Sequence, residues 1–240
     1  MNPPVSRSTT GSPSAPAEPD PTGSGTGRRT SRRTRAGWLG MTVLATLTAA
    51  IAARYFTRDP DLFLAQQRAV YLANLGPLLF HVGGGVLALA VGPWQFVPRI
   101  RARHPVVHRA IGRTYLIGAV AAGIGGLLLV PKGLYWPVAP LGFAGLATAL
   151  LITTGLAFAA IRRRAVPEHR IWMIRSYALI FAAVTFRLWL AVLSDAGLPF
   201  ERAYQSGAWL SWPIDLLVAQ WLIVRIGSGR RVPSITARPL

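Results

Sequence analysis

Six apolar runs of about 20 residues each restrict this chain more than any other feature of its sequence. A bilayer core about 30 Å thick is crossed by about 20 consecutive apolar residues in a helix. Lipid offers the backbone no hydrogen-bond partners, so such runs are expected to be helical. The sequence therefore predicts an all-α integral membrane protein, a bundle of six transmembrane helices. The predicted spans, which together form a membrane domain over residues 37–226, are 37–55, 73–98, 110–130, 140–161, 171–193 and 207–226.

The two ends of the chain differ from these runs. Residues 1–36 are rich in Pro, Ser, Thr and Gly and contain almost no large apolar side chains. They cannot bury enough surface to offset the entropy of ordering, so we predict a disordered, basic cytoplasmic tail. Residues 227–240 are predicted to form a short cytoplasmic tail. An alternative interpretation takes Ser31, Arg32 and Arg33 as part of a twin-arginine export signal cleaved near residues 49–53, but an uncleaved first helix needs no extra assumption.

Positive charge is abundant and unevenly placed. The chain has 26 basic and 8 acidic residues, a formal charge of +18. In a soluble protein this excess would indicate a nucleic-acid partner. Here the arginines form short clusters between apolar runs, without a basic face interleaved with aromatic residues, so no nucleic-acid binding is predicted. The expected partner is the lipid bilayer, with anionic headgroups at the cytoplasmic face. The sequence does not identify protein partners.

The arginine clusters also predict an orientation. With the N-terminus inside, 20 of the basic residues fall in inner segments or near the inner ends of spans, five fall in outer segments or at the outer end of a span, and Arg187 alone is left in the interior of a span. Cytoplasmic segments carry the excess of Lys and Arg in such proteins. The near-exclusive use of Arg over Lys, with abundant Ala, Gly and Pro, is typical of a high-GC bacterial genome. We therefore expect a multi-pass protein of the bacterial cytoplasmic membrane with both termini in the cytoplasm.

Several reaction classes are excluded by what the sequence lacks. It contains no cysteine, which removes thiolate catalysis, iron–sulfur clusters and thiolate zinc sites. It also contains no P-loop, no His-Glu-x-x-His and no Gly-x-Ser-x-Gly motif, which argues against ATP-driven and hydrolytic mechanisms. No catalytic residue is identified, and the absence of these motifs favours a protein that is not an enzyme.

The most informative polar residues deep inside the predicted spans, where lipid should exclude them, are His81, Arg187 and Asp215. Counted along the predicted helices, all three reach a similar level in the outer leaflet. A lone Arg or Asp at that depth costs several kcal/mol, so we predict that Arg187 pairs with Asp215 and that His81 joins them. The cluster either faces an outward-open cavity or only fixes the register of the helices.

A second group of polar residues is predicted at the inner surface, where the third and fifth spans begin. His108 and His169 are expected at matching depth, which is the minimum geometry for bis-imidazole ligation of haem b. The flanking arginines could instead form an anion or lipid-headgroup site, or all of these residues could simply line the interface. No metal site is predicted unless these two histidines bind haem. The candidates are His108, Arg109, Arg113, His169, Arg170 and Arg175.

The order of several uncommon residues resembles a known family. His81 is followed by the segment 92–96 (GPWQF), by His108-Arg109, by the segment 169–178 (HRIWMIRSYA), by 187–189 (RLW) and by 208–212 (AWLSW). Over about residues 75 to 226 this pattern resembles the bacterial predicted membrane proteins of domain of unknown function 2306. The resemblance implies a multi-span protein of unestablished activity. The family pattern has Asn at the position of Asp215 and Glu at that of Gln220, which weakens a role for a carboxylate there.

Three functions are consistent with these features. The first is the handling of a small molecule or of protons through the outward-facing cluster of His81, Arg187 and Asp215. The second is a non-catalytic accessory or assembly role in a membrane complex. The third is electron transfer by haem b held by His108 and His169.

Overall fold

The computed structural model describes the backbone of residues 25–63 and 65–228 and the side chains of residues 35–63 and 65–225. By its internal contacts the chain divides into two units, residues 1–38 and 39–240, and the packing described below belongs to the second. Within the described residues the regular structure is entirely helical, with short 3₁₀ helices at Arg54–Thr57, Pro60–Leu62, Gly92–Phe96 and Val130–Lys132. The α-helices are α1 (Gly25–Ala53), α2 (Arg68–Ala73), α3 (Leu75–Val91), α4 (Pro98–Arg103), α5 (Pro105–Leu129), α6 (Val138–Arg162), α7 (Val166–Asp195) and α8 (Phe200–Ser228).

Six of the helical segments are long and apolar enough to cross a membrane, which confirms the predicted six-span membrane fold. They are Arg35–Thr57, Leu75–Phe96, Pro105–Lys132, Val138–Arg162, Val166–Asp195 and Phe200–Arg225. The starts of three helices differ from prediction, because α5, α7 and α8 begin at residues 105, 166 and 200 instead of 110, 171 and 207. Once a helix has formed, it extends through polar residues at little cost, so hydropathy alone places its ends too far inward.

The predicted tails lie largely outside the described residues. This applies to residues 1–24 and 229–240. Helix α1 begins at Gly25, so the backbone of residues 25–36, which the composition placed in the disordered tail, is helical.

Proline residues begin the helices on which the second group of candidates lies. Pro98 and Pro105 are the first residues of α4 and α5, and Pro167 is the second residue of α7. Proline suits the first turn because its missing N–H would have no intrahelical partner there. We call this end of the bundle, where α5 and α7 begin, the His169 end. The opposite end, where α5 ends and α6 begins, is the Lys132 end.

Helices α3 and α5 pack through glycines that admit no side chain. A Cβ atom on Gly118 would lie 2.9 Å from the Gly84 carbonyl oxygen and 3.0 Å from the Ala88 nitrogen. A Cβ atom on Gly125 would lie 2.6 Å from the backbone nitrogen of His81. Small residues allow such close approach where lipid supplies no hydrophobic drive for association. This contact fixes the position of His81 against α5.

A buried chain of hydroxyl groups joins three helices in the interior of the bundle. The Tyr115 hydroxyl of α5 and the Thr154 hydroxyl of α6 each lie 2.8 Å from the Ser176 hydroxyl of α7. All three side chains are buried. These bonds satisfy polar groups that would otherwise be unpaired in an apolar core, and they hold α5, α6 and α7 in one register.

Candidate functional site

A cavity of about 410 Å³ lies at the Lys132 end of the bundle. Helices α3, α5, α6 and α7 form its walls, and Tyr204 of α8 and residues from the segment between α1 and α3 complete it. This size fits a small organic molecule. Most of the lining is apolar and includes Leu78, Val82, Phe143, Leu146, Leu150, Leu179, Ile180, Phe186 and Leu190.

His81 contributes an imidazole ring to the wall of this cavity. Its Nδ1 atom lies 2.8 Å from the carbonyl oxygen of Ala122 on α5. A carbonyl oxygen can only accept, so in the neutral ring Nδ1 carries the hydrogen and Nε2 has the free lone pair. The Nδ1 and Cε1 atoms are the ring atoms closest to Gly126. The ring is thereby held against α5, and Nε2 is left as a hydrogen-bond acceptor.

Arg187 brings a positive charge to the same cavity. One of its terminal nitrogens donates a 2.6 Å hydrogen bond to the Ala183 carbonyl one turn earlier in α7. Among the residues whose side chains are described, it forms no ion pair with a carboxylate. A guanidinium has five N–H donors, so most of the donors of Arg187 are not used by this single bond.

Two tyrosines near Arg187 add neutral phenol groups to the cavity wall. Tyr71 lies in α2, and burial raises the pKa of its hydroxyl above the ordinary value, although the nearby Arg187 guanidinium opposes that rise. The Tyr71 phenol therefore stays protonated across the physiological pH range and can donate a hydrogen bond. Tyr204 of α8 is buried, and its hydroxyl accepts a 2.6 Å hydrogen bond from the Gln67 side chain.

The segment between α1 and α3 forms one side of the cavity and will be called the cap, residues 54–63 and 65–74. Tyr55, Gln67, Val70 and Tyr71 of the cap line the cavity. Arg68 forms a 3.3 Å ion pair with Asp61 within the cap. At the end of the cap, Asn74 accepts a hydrogen bond from Lys132, which also lines the cavity. The cap is thus tied to the bundle through Tyr204 and Lys132.

The structure brings two members of the predicted polar cluster together and separates the third. His81 and Arg187 line the cavity, whereas Asp215 does not, and its carboxylate accepts a 2.8 Å hydrogen bond from Thr185. The predicted ion pair between Arg187 and Asp215 is therefore not formed. The reason is the face of α7: the Asp215 carboxylate reaches Thr185, two residues before Arg187, and side chains two residues apart on a helix point about 200° apart, so Arg187 lines the cavity while Thr185 contacts α8. Gly207, not Asp215, lies beside Phe186, the residue before Arg187.

The second group of candidates is spread over the His169 end. His169 Nδ1 lies 2.8 Å from the Ala157 carbonyl oxygen, and His108 is close enough to His169 and Arg101 to interact electrostatically with both. The His108 Nδ1 atom is buried without a hydrogen-bond partner among the described residues.

The arginines of this group differ in exposure and in their contacts. Arg109 and Arg113 are exposed, while Arg170 is half-buried. Arg175 donates a 2.8 Å hydrogen bond to Gln220 and lies 4.6 Å from the centre of the Trp172 ring. Within the described part of the chain, no group of three or more His, Asp or Glu side chains is arranged to hold a metal ion.

Several cavity residues were not identified from the sequence. Gln67, Tyr71 and Lys132 lie in connections between the predicted spans, and Tyr204 lies in the connection before the sixth predicted span. Nothing in the local sequence of these residues reveals that they face a cavity. Only the packing of the cap onto α8 brings these residues together.

The comparisons with known proteins agree with this architecture. A family model described as "Predicted membrane protein (DUF2306)" matches residues 78–223, which is more than half of the chain. No curated protein and no solved structure matches the sequence. The matched segment includes His81, Arg187 and Tyr204 but not the cap.

Proposed function

The chain belongs to the DUF2306 family of predicted membrane proteins, and on that premise we propose that its cavity binds a small, mostly apolar molecule that carries an anionic group. The observation that carries this proposal is the charge of the lining. Arg187 and Lys132 are cationic, and none of the described residues that line the cavity is acidic. An unneutralised cation in a largely apolar site is stabilised by an anionic ligand. The apolar walls would enclose the remainder of that ligand.

The polar groups of the cavity define what the ligand should offer. Arg187 retains donors for a carboxylate or a similar planar anion, which it can bind through two parallel hydrogen bonds. His81 offers the acceptor Nε2, so a ligand with a hydroxyl group could donate to it. Tyr71 adds a neutral donor close to Arg187. The best match is an amphipathic anion with a hydroxyl group at some distance from its charge.

We further propose that the cavity opens away from the cytoplasm of a bacterial cell. This rests on the arginines, since the His169 end carries Arg99, Arg101, Arg103, Arg109, Arg113, Arg162, Arg163, Arg164, Arg170, Arg175 and Arg225 among the described residues. The Lys132 end carries Arg54, Arg58, Arg68, Lys132 and Arg202. The positive-inside rule then places both termini in the cytoplasm. The arginines of the His169 end would contact anionic lipid headgroups there.

The proposed function is tested by binding of decanoate to the protein in lipid nanodiscs, with decanol as the neutral ligand of equal chain length. A ligand that binds the folded state raises the melting temperature. We expect decanoate to stabilise the wild-type protein more than decanol does. In Arg187→Gln, loss of a charge-assisted hydrogen bond of about 1.5–3 kcal/mol should weaken decanoate binding by about tenfold to a hundredfold.

The matched control is Arg202→Gln, which removes an exposed arginine from the same end of the bundle. This variant should bind decanoate as the wild-type protein does. Equal affinity of the two variants for decanoate, or equal stabilisation of the wild-type protein by decanoate and decanol, would show that Arg187 is not an anion-binding residue. That outcome would favour the accessory role, in which the cavity has only a structural part.

A further inference from the structure

Asp215 lies near the middle of a membrane span. It follows Phe200 by 15 residues and precedes Arg225 by 10 in the segment Phe200–Arg225. At 1.5 Å per residue these distances are about 22 Å and about 15 Å along the helix axis. Its side chain is half-buried. Few positions in a membrane protein are less favourable for a carboxylate.

No cation neutralises Asp215 among the described residues. Helix α8 packs against α7 and α6, and α6 has no charged residue before Arg162. On α7, the basic residues that flank Thr185 along the chain are Arg175 and Arg187. Arg175 is hydrogen-bonded to Gln220, and Arg187 lines the cavity. Among the residues that the structure describes, the Asp215 carboxyl group accepts a hydrogen bond from the Thr185 hydroxyl, 2.8 Å away on α7.

The surroundings of Thr185 accommodate the carboxyl group in two protonation states. When Asp215 is ionised, Thr185 donates its hydroxyl hydrogen to the carboxylate. When Asp215 carries a proton, that proton can be donated to the Thr185 oxygen, and Thr185 can turn its own hydrogen to the Ala182 carbonyl oxygen, 3.4 Å away. A hydroxyl both donates and accepts, so neither state leaves the carboxyl group without a partner.

We propose that Asp215 and Thr185 form a proton-binding site in the interior of the membrane, separate from the cavity. An ionised carboxylate with a single hydroxyl donor and no cation is costly in the hydrocarbon region, whereas the neutral acid avoids most of that cost. The site takes a proton from water by forming an O–H bond on the carboxylate and returns it when that bond breaks. The reaction needs no other reactant.

The test is reaction of the full-length protein in lipid nanodiscs with dicyclohexylcarbodiimide, an apolar reagent for protonated carboxyl groups. The acid proton moves to a carbodiimide nitrogen, and the carboxylate oxygen bonds to the central carbon, so the adduct retains every atom of both reactants. Proteolysis and mass spectrometry then locate the adduct. We expect modification of Asp215 that declines as the pH rises.

Three variants distinguish this site from general reactivity. Asp215→Asn should show no adduct on α8, and Asp215→Glu should regain it. Glu201→Gln removes an exposed carboxyl group from the same helix and should leave the modification of Asp215 unchanged. Thr185→Val removes the donor to the carboxylate, so its modification should persist to higher pH than that of the wild-type protein.

Two results would overturn the assignment. The first is an unmodified Asp215 at low pH in a wild-type sample whose exposed carboxyl groups react with a water-soluble carbodiimide. The second is protection of Asp215 by sodium ions at constant pH, which would make the site one for a metal cation. Decanoate binding by the cavity is a separate measurement, so either proposal can fail without the other.

Discussion

At the residue scale, Gly125 allows the backbone of His81 in α3 to pack closely against α5. An added Cβ atom would lie 2.7 Å from the His81 Cα atom and 2.9 Å from its Cβ atom, so the backbones of α3 and α5 would have to separate. We expect Gly125→Ala to destabilise the protein by about 1–3 kcal/mol, as overpacking does. The measurement is the thermal unfolding midpoint in detergent.

Gly155 of α6 provides the matched comparison. No atom lies within 4 Å of the Cβ position there. Alanine is favoured over glycine in a helix by up to about 1 kcal/mol, so Gly155→Ala should be neutral or slightly stabilising. Equal unfolding midpoints for the two alanine variants would contradict the close packing of α3 on α5. A lowered midpoint only in Gly125→Ala would support it.

At the element scale, a buried hydrogen bond from Gln67 to the Tyr204 hydroxyl attaches the cap to the bundle, in addition to the exposed bond between Lys132 and Asn74. Tyr204→Phe removes the acceptor and leaves the buried Gln67 amide unpaired, which costs about 1–3 kcal/mol. Because Gln67 lies in the cap, we expect the effect of that loss to appear there. Hydrogen exchange of residues 54–74 should become faster while exchange in α6 and α7 changes little.

The double variant Gln67→Leu with Tyr204→Phe distinguishes the cost of an unpaired buried amide from the effect of a change in side-chain packing. Replacing both partners with apolar side chains leaves no unpaired buried group, so cap exchange should return toward the wild-type rate. Gln66→Leu changes an exposed neighbour and should have no effect on exchange. Unchanged exchange of the cap in Tyr204→Phe would show that other contacts hold the cap in place.

At the scale of the whole molecule, the distribution of arginines predicts the orientation of the bundle. The chain contains no cysteine, so a single introduced thiol reports one position without background. Thr57 at the Lys132 end and Ala102 at the His169 end are both exposed. In intact cells, a membrane-impermeant maleimide should label Thr57→Cys and should label Ala102→Cys only after the cells are broken. The reverse pattern would place the cavity on the cytoplasmic side.

The sequence determined the six spans because each satisfies a local requirement, enough consecutive apolar residues to cross lipid. It also identified the polar residues that lipid should exclude, including His81, Arg187 and Asp215. It could not pair them correctly, because hydropathy does not show which face of a helix meets which neighbour. Asp215 contacts Thr185, whereas Arg187, two residues later on α7, lines the cavity.

The tertiary structure alone decided which polar groups share a cavity. His81 lies against α5 and lines the same cavity as Arg187 because glycines let α3 approach α5, and Tyr71 and Gln67 reach the cavity because the cap folds onto α8. These contacts join residues far apart in the chain, up to 137 positions for Gln67 and Tyr204. Hydropathy is a property of short windows and gives the membrane span, whereas a binding site depends on rotation, depth and crossing of helices, which packing sets.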